Sequence, residues 1–460
     1  MSHDFMHPTG VLPAIFSTYD AWKYRLVTRI YAFGMLCHLW LGDAWTDGWE
    51  FPNALAALGL ILLSVNPCFA AWMLCFVGKL LPLLFLRDQL TQSVVLMSYA
   101  AIGMVFHVQL ARGRGQVGHF WRGLQSITAL TYTVATFHKL NTEFLNPVTS
   151  CANYGMNELF VHWSLPTEWS EWVIWPGVAL LAEGAIPVLL SLGRHRLAWV
   201  LVAFFHIPLT ITMAPAFAFV MFAGHAAFAT DADREAFDVW VKRSAIWIIP
   251  ISVSITTLSV LNANITPDFT MIVREWMLWA LAAGSLVHLF KARAHREERP
   301  RQGNWAIRLI VGLFLLNSLT PYTGVQMQHA GAMLSNLRID EGCWNHVIIP
   351  ESFRLTEDYI RIEEGYFGKP GRVEEYEKIM KDQLWNGPQI RQMKRNWCSD
   401  SLRPFYMRGT LRGEPFEIAD LCSAEDLPFS TDGFFGVEIF PEFLRFQKNL
   451  ERECPQSCIH

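Results

Sequence analysis

The chain is short of charge. Only 17% of its 460 residues are Asp, Glu, Lys or Arg, against roughly 25% in soluble chains, which argues against an ordinary soluble protein. It has no basic patch interleaved with aromatics, and its net charge is -4, so nothing marks a nucleic-acid partner. Strings of the G-x-x-x-x-G-K-[ST], G-x-S-x-G and H-E-x-x-H kinds are missing, which argues against the common P-loop, serine-hydrolase and zinc-protease sites. Internal repeats and low-complexity segments are also absent. Residues 1–23 carry charge and two prolines where a removable signal peptide would need a continuous apolar core. The first span, Leu26 to Leu41, is expected to act as an uncleaved anchor.

What is present is apolar. Hydrophobic residues make up 52% and aromatics 13%, and the mean hydropathy of +0.23 averages two unlike parts. Residues 24–320 hold nearly all the long apolar runs, while 321–460 are polar with globular patterning. The expected architecture is therefore an all-α polytopic membrane bundle behind a short N-terminal segment, followed by a C-terminal extramembrane α+β domain. Candidate spans fall near 24–42, 52–64, 66–86, 90–110, 119–138, 172–192, 197–213, 215–229, 245–262, 272–290 and 305–320. Several fall short of the roughly 20 residues that a simple crossing needs. Pro208 and Pro215 break the stretch 197–229 into one kinked helix, two short ones or a re-entrant pair, which leaves nine to eleven spans.

Lys and Arg placement orients the bundle. Arg112, Arg114 and Arg122 surround one loop, Arg194 and Arg196 mark a second, and Lys291 to Arg301 form the most basic one. Loops 43–51 and 140–171 are acidic instead. With basic loops inside and an odd number of spans, the N-terminus is cytoplasmic, and Lys139 and the C-terminal domain lie outside. Cys151, Cys343, Cys398, Cys422, Cys454 and Cys458 then share the oxidising side, an even number compatible with disulfides of undetermined pairing. Cys454-x-x-x-Cys458 lacks the second pair that a zinc site requires. Cys37, Cys68 and Cys75 read as core residues within spans. In the polar region, Arg372 to Trp397 reads as a charged amphipathic helix interrupted at Gly387-Pro388. Phe405 to Ile418 reads as a hairpin around Gly413, and Phe440 to Arg452 as a last helix.

Ionisable residues inside spans are costly and tend to be functional. Lys139 closes the apolar stretch from Phe120 to Phe137. It either snorkels to the headgroups or serves as a desolvated amine base, since a free lysine with pKa near 10.4 is protonated at neutral pH. Its neighbours His138 and Asn141 favour the second reading. Glu183 is central enough in its span to need an interior partner. His206 precedes Pro208 and either binds carbonyls freed by the proline or takes part in chemistry. His225 is a weaker candidate, His107 near a basic loop reads as interfacial, and Arg87-Asp88 reads as an interfacial ion pair. Imidazoles with a carboxylate could hold iron or zinc, but no pair has the i, i+3 or i, i+4 spacing of a helical metal site, so no metal is expected.

Phe137-His138-Lys139-Leu140-Asn141-Thr142-Glu143-Phe144 resembles the vitamin K-dependent gamma-glutamyl carboxylases and the bacterial proteins sharing their horizontally transferred transmembrane (HTTM) domain. The likeness continues through His162-Trp163, Glu183 in a Leu-rich helix, Phe205-His206, and Ser318-Leu319-Thr320-Pro321-Tyr322-Thr323-Gly324 to Ser335-Asn336-Leu337-Arg338, with Asn345-His346 and Pro350. It covers roughly residues 20–350. The resemblance implies a membrane enzyme in which Lys139 deprotonates a reduced, vitamin K-like quinone. Oxygen then makes a strong base that removes a carbon-bound proton, and CO2 is the trap in the carboxylases. It carries over Lys139 alone as the catalytic lysine; His138, His206 and Glu183 stand beside it as further catalytic candidates, and Asn141, His162 and Trp163 as candidate cofactor-binding residues. A lipid quinone, the bilayer and a peptide or protein substrate are the implied partners, in a bacterial inner membrane rather than the ER. The chain departs from the carboxylases at Asp88-Gln89-Leu90-Thr91-Gln92-Ser93, where they carry an Asn-His pair, and in its shorter extramembrane domain. Two readings from other classes stand beside it: a non-enzymatic membrane protein that binds a partner through 321–460, and a transporter using Glu183 and His206 as a proton relay.

Overall fold

The computed structural model describes residues 18–41, 50–84, 93–114, 116–212, 217–236, 304–324, 330–332, 334–355, 359–398, 404–425, 427, 450–456 and 458. The expected segments 245–262 and 272–290, Arg87-Asp88 and the basic stretch Lys291–Arg301 lie outside them. The apolar runs fold as helices: α1 (Thr18–Leu41), α2 (Glu50–Val65), α3 (Phe69–Leu84), α4 (Ser93–Ala111), α5 (Val117–His138), the short α6 (Thr142–Leu145), α7 (Cys151–His162), α8 (Ile174–Ser191), α9 (His195–Thr212), α10 (Phe217–Ala226) and α11 (Trp305–Leu319), extended by a 3-10 turn to Thr323. The stretch 197–229 is thus two helices, α9 and α10. At about 1.5 Å per residue, the ten-residue α10 is too short to cross a hydrocarbon core of about 30 Å by itself.

Among the described residues, three helices are long and apolar enough to cross a membrane: Ser93–Ala111, Ile174–Ser191 and Trp305–Thr323. Their exposure fits lipid contact. Leu309, Leu313 and Leu316 form an i, i+4, i+7 stripe on α11 and are 53%, 55% and 64% exposed. On α8, Leu181 and Val188 face outward while Glu183, Ile186 and Leu190 face inward.

Two apolar clusters share α5. Tyr31, Trp72, Phe106, Phe120 and Leu124 belong to the cluster built on α1–α5, α10 and α11. Tyr132, Leu159, Ile186, Val202 and Met221 belong to one built on α5 and α7–α10. α5 touches α4, α8, α10 and α11, so a polar residue on its inner face has four helices to answer it. Gly224 allows α10 to seat there, because a Cβ at that position would collide with the hydroxyls of Tyr99 and Thr128.

Beyond α11 lies a five-stranded antiparallel sheet in the order β4-β3-β1-β2-β5. Its strands are β1 (Ile360–Phe367), β2 (Gln383–Trp385), β3 (Phe405–Leu411), β4 (Glu414–Ile418) and β5 (Leu450–Glu451). β1 buries Ile360 and Ile362, then Gly365 and Phe367. A bulge between Ile362 and Glu364 supplies the extra residue that shifts the buried phase. The hairpin expected around Gly413 is β3–β4. The charged helix expected over 372–397 is instead α12 (Glu374–Asp382), strand β2 and α13 (Gly387–Trp397). Pairing of Leu384 with both Arg361 and Leu450 overrides helical propensity over three residues. The Asn386–Gln389 capping box then starts α13 afresh. The last helix expected over 440–452 is also corrected: its described end, Leu450–Glu451, is strand β5, while 440–449 lie outside the described residues.

The C-terminal tail is fastened to the segments that follow α5 and α11. Arg338 is 1% exposed and grips Asp340 with two bonds of 2.9 and 2.7 Å. Its remaining N–H groups donate to the carbonyls of Glu453 and Glu451 at 2.7 and 2.8 Å. Cys151–Cys458, Cys343–Cys454 and Cys398–Cys422 form disulfides, which also removes Cys454 and Cys458 as a ligand pair. Cys75 is buried, Cys68 half-buried, and both are free thiols. Nine cysteines less three pairs leave three thiols. Maleimide labelling after denaturation without reductant should therefore add three labels by intact mass, and nine after reduction. Five or more labels before reduction would contradict this pairing.

Candidate functional site

The site begins where α5 stops. Asn141 is fully buried and turns the chain. Its amide donates to His138 O at 2.7 Å and Ser335 O at 2.6 Å, and its side-chain oxygen accepts from Phe144 N at 2.7 Å to cap α6. Both amide protons and the carbonyl oxygen are thus engaged in the joint. The turn is held from above by an Asn141–His346 bridge, with Val347 N donating to Leu140 O at 2.9 Å and Thr142 N to Asn345 O at 3.0 Å.

This joint fixes Lys139 as the residue closing α5. Its ammonium does not reach for headgroups; it turns inward. Lys139 Nζ lies 2.7 Å from Glu183 Oε2, each side chain 7% exposed, and 5.8 Å from the Phe144 ring centroid. The interior partner expected for Glu183 is therefore Lys139. Gly184 lets α8 approach α5 here, because a Cβ would sit 3.2 Å from Thr136 Cγ2. Two charges this far from water must answer each other, since desolvating either alone costs several kcal/mol.

Two turns back along α5 is a second polar group. Tyr132 precedes Lys139 by seven residues, two helical turns, on the same face. Its hydroxyl lies 2.8 Å from His206 Nε2 and 3.3 Å from His225 Nε2. Glu183 acts electrostatically on Tyr132, and Lys139 on His206. His206 thus meets a tyrosine through Nε2. Thr136 Oγ1 and His225 Nδ1 are buried without hydrogen-bond partners. The inner face of α5 therefore carries Tyr132, Thr136 and Lys139 against Glu183, His206 and His225.

His138 points the other way. Its Nε2 lies 3.1 Å from Ala330 O and its Nδ1 2.7 Å from Tyr322 Oη. A carbonyl only accepts, so Nε2 carries the proton and Nδ1 accepts from the tyrosine. Both nitrogens hold the loop after α11 against α5. His162 and Trp163 end α7, where Trp163 packs on the cluster containing Tyr132 and Leu159. His107 lies 2.8 Å from Tyr24 Oη, one turn before Arg112. Among the described residues, no three His, Cys, Asp or Glu side chains come together as a metal site. The string Gly113-Arg114-Gly115-Gln116-Val117-Gly118 follows helix α4 rather than a strand, so it lacks the setting of a dinucleotide loop.

Tyr132, Thr136 and Tyr322 were not singled out from the sequence. The seven-residue step from Tyr132 to Lys139 was the available signal for the first. His346 completes the joint above Lys139. Its Nε2 donates to Phe137 O at 3.0 Å, and its Nδ1 accepts from Ile349 N at 2.9 Å. Burial holds its pKa below the ordinary imidazole range, against the opposing bond to Phe137. A lowered pKa means that the folded state resists protonation. Stability contributed by His346 is therefore present above about pH 6.5 and lost as pH falls through the folded value. The thermal midpoint should drop on acidification from about pH 7.5 to 5, and His346→Gln should drop less over the same range. An equal drop in both proteins would exclude this role.

Comparison with protein-family models, curated proteins and solved structures finds no match for the chain.

Proposed function

We propose that the protein is an integral membrane enzyme of the HTTM type, resembling the vitamin K-dependent gamma-carboxylases, with Lys139 as a base toward a reduced lipid quinone. The observation that supports it most is the buried contact of 2.7 Å between Lys139 Nζ and Glu183 Oε2 at the lip of a helix bundle. An ammonium is not a base. The reading requires the proton of the pair to pass to Glu183, leaving Lys139 with a lone pair while the pair stays neutral overall. Lys139 would then accept a hydroxyl proton from the reduced quinone. The Phe144 face, 5.8 Å from Nζ, and the unpartnered Thr136 hydroxyl suit a ring bearing an oxygen. With oxygen, the reduced quinone would supply the strong base that removes a carbon-bound proton, and CO2 is required only if a carboxylate is made. Tyr132, His206 and His225 stand beside the pair as further proton holders.

The proposed topology has nine to eleven spans, the N-terminus in the cytoplasm and residues 321–460 outside a bacterial inner membrane. Pairing of all six cysteines that this orientation assigns to the oxidising side supports it. The Tyr132–His206–His225 chain also favours a second reading, proton-coupled transport through Glu183, which predicts liposome uptake abolished by Glu183→Gln. Native mass spectrometry of the purified protein separates these readings. The enzyme reading expects one retained quinone per chain and oxygen uptake on adding reduced quinone. A quinone-free protein carrying a co-purified peptide would overturn it in favour of a partner-binding module.

A further inference from the structure

The short acidic turn between α7 and α8 carries a tryptophan cluster that the Lys139 pair does not use. The turn is a 3-10 helix, Thr167–Glu171, and it is firmly held. Asn153, buried on α7, donates to Ser170 O at 2.6 Å and to Trp172 O at 3.0 Å. Ser170 Oγ donates to Thr167 O at 2.7 Å, and Trp175 Nε1 to Trp169 O at 2.6 Å. Phe160, buried near the end of α7, sets its ring centroid 6.3 Å from Trp169 and 5.9 Å from Trp175. Trp172 stacks on Trp175 almost in parallel, at 7° and 6.4 Å. The indoles thus stand on a fixed frame, yet Trp172 is 51% and Val173 73% exposed, with Trp169 and Ile174 also outward. Holding large apolar side chains outward forgoes hydrophobic free energy unless something apolar covers them.

The same surface continues down α8. Ile174, Val178, Leu181 and Val188 fall at i, i+4, i+7 and i+14, one face of the helix, and all four are exposed. α8 is long and apolar enough to cross a membrane. A soluble partner seated on the turn would leave most of this stripe uncovered, whereas a bilayer covers both. Residue type agrees, because an indole has an apolar body and one polar N–H, which suits the boundary between acyl chains and headgroups. Charge then narrows the lipid. Between Lys139 and Arg194 the chain carries no Lys or Arg, while Glu168 and Glu171 flank Trp169. No basic residue of this segment draws in an anionic headgroup.

We propose that Trp169, Trp172 and Val173 seat in the boundary between headgroups and acyl chains of the leaflet at the N-terminal end of α8, a lipid-binding surface that needs no anionic lipid. Glu183 follows Ile174 by nine residues, about 13 Å along the helix, so this seating sets the Lys139–Glu183 contact below the headgroups. The inference rests on α8 crossing the membrane and is independent of any chemistry at Lys139.

The full chain is placed in nanodiscs of phosphatidylcholine brominated either near the headgroup or near the chain end, with iodide as the aqueous quencher. Emission of Trp169 and Trp172 is the difference between wild type and Trp169→Phe/Trp172→Phe, each of verified melting midpoint. Trp172→Phe alone supplies the difference if the double variant does not fold. This emission should be quenched most by the shallow bromines, less by the deep ones and least by iodide. Adding phosphatidylglycerol should leave that order unchanged. Strong iodide quenching without bromine quenching puts the cluster in water and overturns the proposal. Protection from all three quenchers means that protein covers the indoles, and deep quenching above shallow moves them out of the boundary; both overturn it as well. A bromine effect that appears only with phosphatidylglycerol overturns the assignment to neutral lipid. Quinol turnover is not read, so none of these results bears on the enzyme reading.

Discussion

Lys139→Met should destabilise the protein by about 3–5 kcal/mol, and Glu183→Leu by a similar amount, whereas the double variant should regain most of the loss. Either single change strands one charge, 7% exposed, among apolar helices. The double change replaces the pair by apolar groups of comparable length, and buried ion pairs treated this way are often neutral or better in stability. Coupling rather than the single effects carries the argument, because the two residues are in contact and their changes cannot add. Denaturation midpoints in detergent for the four proteins of the cycle give the coupling directly. Additive losses would mean that α5 and α8 do not meet through these side chains.

The helices were legible because long apolar runs leave few alternatives. A span expected over 119–138 is α5, Val117–His138, and one expected over 172–192 is α8, Ile174–Ser191. Crossing itself is less legible: three described helices satisfy it by length and hydropathy, and α10 is too short alone. Lys139 and Glu183 each signalled a need for a partner, but nothing local joins residues on two helices, so the pairing emerged only from packing. The reverse holds for His138. Polar company beside Lys139 suggested chemistry, yet the same residue types serve equally as a latch, and His138 and Asn141 both make hydrogen bonds that hold the joint. The even number of six cysteines in 140–171 and the C-terminal region foretold disulfides, while the partners of Cys151 and Cys343 depended on where the tail returns. β2 was hidden because Gln383-Leu384-Trp385 sits between helix-forming stretches and becomes a strand only by pairing on both edges.

Lys139→Arg tests the central claim most directly. A guanidinium can keep the ion pair with Glu183, so insertion and fold should survive, but it does not give up its proton under these conditions. Removing a general base typically costs about 10^2- to 10^4-fold in rate. The measurement is consumption of reduced quinone with oxygen uptake, by protein of verified melting midpoint in matched detergent, with epoxide detected by mass. The account predicts turnover in the wild type, a loss of that order in Lys139→Arg, and His138→Ala retaining turnover in proportion to its folded fraction. Full turnover by Lys139→Arg, with His138→Ala dead though folded, would contradict it and leave Lys139 as a structural ion-pair partner alone.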